Sequence, residues 1–492
     1  MKIVKNIFTL VLVLLILGSC TLERTSYNEI YPENFYRNEE DVNKALTALY
    51  VPFRTGWGKF YCADQWGYTV ISDFTTGMLE GKYANEGYNH FYEHWWRENG
   101  SDLGTQFAGK IYPQYNELSR IKNAIRNINN SSVSDAIKKK AIAEAQCLYG
   151  WVGYIMYDLF GPVPLITDEA LADPEAEIFI PRLSDEEYTG IMIETLDEAS
   201  RVLPEVQTDW GRTSKGMALM LMLKFHMINK NFVEAEKVAR QLYAMENSGV
   251  YSLLGSYASV FDKANAKNKE IIHAIPCGSG NPNYWLTQVI PSDMGGFEAS
   301  AWGTFLMQWK FYDSFEAGDD RLNTIITEYT RKDGGVVKRG SGNLIRGCIP
   351  RKLGADPEQT GSAGTTDCIV FRYADVLLSL AECINENNGK PTPEAIGLVN
   401  RVRDRVNLDP LTAAQTADKA AFNKAILNER LHEFYCEGLS RQDRIRHGVF
   451  VSNSQELFQN SQSDWYKVRF PIPAKFINES AGVVKQNPGY AG

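Results

Sequence analysis

The sequence lacks an excess of positive charge. Its 51 lysines and arginines are outnumbered by 60 aspartates and glutamates, which gives a formal charge of −9 at pH 7. A protein that binds a nucleic-acid backbone needs clustered positive charge to neutralise phosphates. The charge balance therefore argues against a nucleic-acid partner, and it also argues against charge-driven adhesion to anionic lipid.

The sequence also lacks the motifs of common catalytic and metal sites. It contains no GxSxG and no GxxxxGK[ST] segment, and none of its eight cysteines form a CxxC pair. His90 and His94 have the spacing of zinc ligands on a helix, but Phe91 stands where the HExxH motif has glutamate. No pair among the acidic residues is singled out for glycoside hydrolysis. We predict no catalytic residues and no metal site.

The cysteines do not predict a disulfide framework. Besides Cys20 they number seven, an odd count, and some of them, such as Cys147 and Cys383 in helical patterns, are interpreted as small buried side chains. Cys348 and Cys368 could pair across a loop, and the alternative is that both remain free thiols.

Long hydrophobic runs are absent except at the start of the chain. Lys2 and Lys5 precede an apolar run at residues 7–17, which is too short to cross about 30 Å of hydrocarbon as a helix. The run ends in Leu17-Gly18-Ser19-Cys20, which resembles a bacterial lipobox whose cysteine receives lipid. We therefore expect residues 1–19 to be a lipoprotein signal peptide and acyl chains on Cys20 to be the membrane anchor. The alternative is an ordinary secretory signal with an incidental cysteine.

Helical periodicity dominates the rest of the sequence and comes in adjacent pairs. Apolar residues spaced by three and four predict a helix over residues 141–160. Residues 217–228 and 232–245 form two helical patterns joined by Asn229-Lys230-Asn231, as in an αα-hairpin of tetratricopeptide type. A further pair covers residues 374–406. The predicted fold class is mostly α, with tetratricopeptide-like helical hairpins that carry long irregular loop insertions.

Local signals mark where these helices begin and end. The first helix stops at Phe160-Gly161-Pro162, and Ser184 with Glu187 forms a capping box for the next. In the last pair, Asn388-Gly389 ends one helix, and Thr392 with Pro393 begins the other.

Two long insertions, residues 54–109 and 249–366, have weak periodicity and many aromatic residues. Twelve aromatic residues fall between Trp57 and Trp96, and further tryptophans lie in the second insertion. Aromatic faces beside amides and carboxylates suit sugar rings, and they also suit peptides. Each single ring is more readily explained as a packing residue, but the size of the cluster favours a ligand surface.

Several segments in order resemble the SusD/RagB family of outer-membrane nutrient-binding lipoproteins of Bacteroidetes. The segments are the lipobox at Cys20, residues 157–165 (YDLFGPVPL), 211–216 (GRTSKG), 371–378 (FRYADVLL) with 381–382 and 400–403, 429–438, 471–473 (PIP) and 486–490 (QNPGY). One segment departs from the family pattern EGxRxxDLxRxG, because Ser440 replaces the arginine and Arg444 replaces the leucine. Asp443, Arg446 and Gly448 match that pattern and resemble a structural charge network under the helices.

The resemblance implies a protein on the outer membrane that faces the exterior and captures an oligosaccharide, or sometimes a peptide. It implies delivery to a SusC-like, TonB-dependent transporter. It also implies an N-terminal region at 20–248 and a C-terminal region at 249–492. Some family members bind a structural calcium, but no pattern in this sequence places one, and no other cofactor is expected.

The resemblance further suggests ligand-binding residues. Those from the first insertion are Asp73, Lys82, Trp96 and Asn99, and those from the second are Tyr284, Trp285 and Trp302. Two other functions stay open at this point. They are a lipid-anchored glycoside hydrolase, which would shorten sugars, and a tetratricopeptide scaffold, which would bind only protein.

Overall fold

A computed structural model of the chain describes residues 36–82, 86–173 and 178–491. The predicted signal peptide and Cys20 lie outside these residues. Within the described residues, no helix combines the length and the apolar character needed to cross a membrane.

Helices are the main regular secondary structure of the described residues. They are α1 (Glu39–Leu49), α2 (Tyr68–Phe74), α3 (Asn89–Tyr92), α4 (Leu103–Ile111), α5 (Asn116–Asn130), α6 (Asp135–Phe160), α7 (Asp168–Ala172), α8 (Asp185–Ser200), α9 (Lys215–Ile228), α10 (Phe232–Ala244), α11 (Tyr257–Val260), α12 (Trp285–Val289), α13 (Trp309–Tyr312), α14 (Tyr373–Asn388), α15 (Pro393–Asp404), α16 (Lys419–Glu433), α17 (Ser440–Arg446), α18 (Phe450–Leu457) and α19 (Ala474–Glu479). The mostly α fold class is confirmed.

The long helices form one packed array. In order, α5 packs on α6, α6 on α8, α8 on α9, α9 on α10, α10 on α14, and α14 on α15. Nearly every residue of α9 is buried, so this helix is apolar on almost all faces and occupies the centre. The boundary predicted at residue 248 falls between α10 and α11, and the division into two regions stays a prediction.

The predicted helix ends are confirmed. Helix α6 ends at Phe160 before Gly161, whose φ is +74°, and α14 ends at Asn388 before Gly389, whose φ is +68°. Ser184 and Glu187 form the capping box of α8. The Thr392 side chain accepts a hydrogen bond from the Ala395 backbone N–H at the start of α15.

The insertions contain more regular structure than the sequence predicts. The strands are β1 (Leu79–Gly81), β2 (Ile271–Ile275), β3 (Phe305–Gln308), β4 (Ile325–Ile326), β5 (Glu328–Thr330), β6 (Val336–Lys338), β7 (Gly347–Pro350) and β8 (Cys368–Arg372). One sheet has the order β1-β3-β7-β4, and β2-β8 and β5-β6 are separate antiparallel pairs. The antiparallel β1–β3 register pairs Gly81 with Phe305, so the two insertions share a sheet. Strands this short leave too little periodicity in the sequence to be recognised.

A buried network of charges joins the second insertion to the C-terminal helices. The Arg372 guanidinium contacts the carboxylates of Glu270 (2.9 Å), Glu433 and Glu437 (2.8 Å). Burial raises the pKa of Glu433, but the charges of Arg405 and Arg372 outweigh burial and hold that pKa well below its usual range. Arg372, Glu270, Glu433 and Glu437 are called the Arg372 network below.

The charge network inferred from the family pattern is also present. Arg446 donates to the carboxylates of Glu382 and Asp443, and Asp443 also forms an ion pair with Arg430. Ser440, at the departure from the pattern, instead donates from its hydroxyl to Asp73 Oδ1 at 2.8 Å.

Candidate functional site

Three exposed or half-buried rings from the two insertions stack on one another. Trp57, Tyr284 and Trp302 have ring centroids 4.8, 6.0 and 6.3 Å apart, and their ring planes are within 22° of parallel. Trp57 is 49% exposed and Trp302 is 43% exposed. These three residues are called the aromatic platform. Its rings offer roughly parallel apolar surface to solvent, which is unusual for side chains this large.

Hydrogen bonds fix Trp57 against the second insertion. The Thr55 backbone N–H donates to Asn281 Oδ1 at 3.0 Å, and the Thr55 hydroxyl donates to the Pro282 carbonyl at 2.9 Å. On the other side, the Phe53 ring stacks on buried Trp151 with a centroid distance of 3.8 Å. The Trp57 loop is thus held at one end by the helical core and at the other by the segment that carries Tyr284.

Tyr284 and Trp302 are held by the ends of the second insertion. Asn283 exchanges backbone hydrogen bonds with Gly364, and its side-chain amide donates to the Thr366 carbonyl at 2.9 Å. The Trp302 backbone N–H donates to the Thr287 carbonyl at 2.8 Å. Because the neighbouring backbone is bonded in this way, the rings are positioned before any ligand arrives.

The structure brings only part of the predicted set of ligand-binding residues to the platform. Tyr284 and Trp302 are members of it. Lys82 is close to it along the backbone, because its N–H donates to the Thr304 carbonyl at 2.7 Å. Asn99 is exposed in the segment before α4, and no contact between described residues joins it to the platform.

The structure contradicts the prediction that Trp96 binds the ligand. It has no exposed surface, and its ring packs against Phe470 at 4.5 Å and His94 at 4.6 Å. A ring covered by other rings presents no face to a ligand. The third ring of the platform, beside Tyr284 and Trp302, is instead Trp57, which the resemblance did not suggest. Loop segments have no burial period, so the sequence carries no signal that separates these two tryptophans.

Asp73 and Trp285 are also away from the platform surface. They line one small cavity of about 60 Å³, which is too small for a sugar chain. Asp73 is 1% exposed, and burial raises its pKa to about 7 despite the hydrogen bond from Ser440. This carboxyl group is therefore a buried structural group and not a surface ligand contact.

The raised pKa of Asp73 predicts a pH-dependent stability. The folded state keeps the proton up to about pH 7, whereas the unfolded state loses it near pH 3.9, so stability falls as the pH rises between these values. Asp73→Asn removes this loss and should raise the free energy of unfolding at pH 8 by the order of 1–3 kcal/mol relative to wild type. Urea denaturation at pH 5 and pH 8 measures the difference. An equal effect of the substitution at both pH values would contradict the assignment.

The histidines and cysteines do not form a metal or disulfide site in the described residues. Both ring nitrogens of His94 have protein partners, Ser463 Oγ at 2.7 Å and the Thr75 carbonyl at 2.9 Å, and burial lowers its pKa to about 3. Cys348 in β7 and Cys368 in β8 are free thiols. No group of three or more His, Cys, Asp or Glu residues in the described part of the chain is arranged to hold a metal ion.

Comparison with known proteins shows that the chain is similar to SusD-family proteins. A family model described as the SusD family matches residues 321–490. A SusD-like protein of Formosa agariphila is 25% identical, with 99% of each chain covered. The starch-binding protein SusD of Bacteroides thetaiotaomicron is 30% identical over 132 residues, which are 25% of this chain and 22% of that protein. The solved structure of surface glycan-binding protein A from Bacteroides fluxus has a TM-score of 0.73 at 23% identity, and the match covers 92% of this chain and 100% of that one.

Proposed function

We propose that this chain, which belongs to the SusD/RagB family, captures an oligosaccharide on the aromatic platform for import. The names of two relatives support a sugar ligand, since one is a starch-binding protein and the other a surface glycan-binding protein. The observation that carries the proposal is the set of three near-parallel rings that remain accessible to solvent.

The geometry of the platform matches the shape of a sugar chain. The C–H groups on a pyranose face pack on an aromatic face, and the exposed parts of the stacked Trp57 and Trp302 rings supply apolar surface of this kind. Because hydrogen bonds hold the backbone on both sides of the platform, little conformational entropy is lost on binding. The Lys82 N–H donates to the Thr304 carbonyl at 2.7 Å, which brings the charged Lys82 near Trp302 in the chain.

The protein is a binding protein and not an enzyme. Its SusD-like relatives are also binding proteins. Its aromatic platform provides contact surface, whereas glycoside hydrolysis requires two positioned carboxyl groups on either side of the scissile bond.

We further propose that the protein is lipid-anchored through Cys20 on the outer membrane, faces the exterior, and passes its ligand to a SusC-like, TonB-dependent transporter. The lipobox pattern and the family membership support this placement. A Cys20→Ala variant should leave the membrane fraction, and the wild type should co-purify with a large barrel protein from the outer membrane.

Titration of the purified protein against a panel of oligosaccharides and peptides tests the ligand class. We expect saturable binding of at least one oligosaccharide without any shortened product, measured by calorimetry and by chromatography of the sugar. A ligand at 100 times its dissociation constant should stabilise the fold by about 2.7 kcal/mol. Binding of peptides alone, or release of shorter sugars, would contradict the proposal.

Gly303 offers a test of how the platform is positioned. Its φ is +58°, and an added Cβ would lie 2.8 Å from Pro291 Cα and 3.2 Å from the Ile290 carbonyl oxygen. Gly303→Ala should therefore displace the adjacent Trp302 and weaken oligosaccharide binding roughly tenfold. The matched control is Gly296→Ala, because Gly296 has a φ of +73° with no atom within 4 Å of an added Cβ. Calorimetric titration of both variants should show the loss in Gly303→Ala alone, and an equal loss in both would rule out this explanation.

A further inference from the structure

A second groove, which shares no residue with the aromatic platform, has an unusual charge pattern. It has a volume of about 230 Å³, and its lining residues come from the segment before β1, the end of β3, α13 and its C-terminal flank, α16, α17 and α18. They include the basic residues Lys310 and Arg444, the polar residues Gln308, Ser314, Asn428 and Asn453, and the apolar residues Met78, Phe311, Leu431 and Leu457. None of its described lining residues is an aspartate or a glutamate.

Arg444 is only partly satisfied by protein groups. Its Nη1 donates to Asn453 Oδ1 at 2.9 Å, and the Asn453 amide in turn donates to the Thr76 carbonyl at 3.1 Å. The buried Nε has no hydrogen-bond partner among the described residues. No described carboxylate lies within salt-bridge distance of the guanidinium, and burial lowers the pKa of Arg444 to about 10.

The other buried arginines of this region are neutralised. Arg430 contacts Asp375 and Asp443, Arg441 contacts Asp158, and Arg446 contacts Glu382 and Asp443. Arg182 lacks a carboxylate, but carbonyl and amide oxygens accept from its guanidinium nitrogens. Arg444 is half-buried and has no ion pair within 4.0 Å among the described residues, so an anion from outside the chain would supply the close partner that these other arginines have.

We propose that this groove binds the oxyanion of an acidic sugar unit, either a carboxylate or a sulfate ester, through Arg444 and Lys310. Arg444 Nη2 is the end of the guanidinium that can donate to such a group, and the Nη1 bond to Asn453 holds the side chain in place. Lys310 is exposed and adds a second positive charge among the lining residues. The volume is below the roughly 300 Å³ typical of drug-sized ligand sites, which fits one sugar ring.

Titration with three monosaccharides tests the charge requirement. We expect glucuronate or glucose 6-sulfate to bind the purified protein and neutral glucose not to bind, as followed by calorimetry and NMR. The comparison of the two acids tells which oxyanion fits. Binding of glucose as tight as that of both acids, or no binding of either acid up to about 10 mM, would overturn the proposal.

Variants locate the binding in this groove. Arg444→Leu should weaken binding of the acidic sugar roughly ten- to a hundredfold, since it removes charged hydrogen bonds. Lys310→Gln, at an exposed position that does not threaten folding, should weaken it a few-fold, whereas Trp302→Ala should leave it unchanged. Unchanged binding in Arg444→Leu would overturn the proposal. Because Trp302→Ala affects only the platform, failure here and failure of the proposed function are distinguishable.

A stability measurement separates a ligand-binding role from a structural one. Leucine is the residue that the family pattern has at this position, and it removes a half-buried guanidinium that forms no ion pair with the described residues. The melting temperature of Arg444→Leu without ligand should therefore equal or exceed that of wild type. A clear fall in the melting temperature would show that Arg444 supports the fold and would contradict the inference.

Discussion

Arg372→Met should lower the free energy of unfolding by about 3–5 kcal/mol, because it removes the one guanidinium that contacts all three carboxylates of the network. Glu270 and Glu433 are fully buried, and Glu437 is nearly so, with its carboxylate atoms 2.8 Å from the guanidinium. Methionine fills a similar volume, so most of the loss comes from the uncompensated charge. Urea denaturation at pH 7 measures the effect.

An exposed ion pair serves as a matched control, because it separates the effect of burial from the effect of losing an ion pair. Arg240 contacts Glu394 at 2.9 Å, but both side chains are about half exposed. Arg240→Met should therefore cost less than about 1 kcal/mol. Equal losses in the two variants would show that burial does not set the strength of the Arg372 network.

The same network predicts how the wild type responds to acid. The pKa of Glu433 lies below its unfolded value, so its contribution is fully present above pH of about 4.3 and is lost as the pH falls toward the folded pKa. Stability measured between pH 6 and pH 3 should fall more steeply in wild type than in Arg372→Met, because the variant keeps Arg405 but has lost the contribution of Arg372.

Loss of both platform tryptophans should nearly abolish oligosaccharide binding. Each stacked ring contributes about 1 kcal/mol beyond the area that it buries, so Trp57→Ala with Trp302→Ala should weaken binding roughly a hundredfold. The near-parallel planes of these rings, 18° apart, allow both to contact one sugar chain. Calorimetric titration with the best oligosaccharide of the panel gives the affinity, and each single variant should lose about tenfold.

Trp465 provides the control for this experiment. It is 65% exposed and is not part of the platform, so Trp465→Ala removes an exposed ring without touching the site. Its affinity for the oligosaccharide should match that of wild type. If the double platform variant keeps its affinity, or if Trp465→Ala loses as much, the sugar does not bind on the platform.

The sequence was sufficient for the helices because their signals are local. The glycine after Phe160, the Ser184–Glu187 capping box and the Thr392-Pro393 start each depend on residues within one helical turn, and the structure has all three. The family motifs likewise predicted the charge network of Asp443 and Arg446. Short-range hydrogen bonding and hydrophobic period are properties that a chain carries before it folds.

The site depends on contacts that no local signal records. Trp96 and Trp57 belong to the same aromatic stretch, yet one is completely buried and the other is half exposed. Trp96 is buried because Phe470 and His94 cover its ring. Trp57 is exposed in a loop that Asn281 and Pro282, more than two hundred residues away, hold in place. The sequence alone thus determined the helical scaffold and the residue types available for binding. Only the tertiary structure decided which rings face solvent and which buried charges lack a partner, because exposure and neutralisation both depend on residues that are distant in the chain.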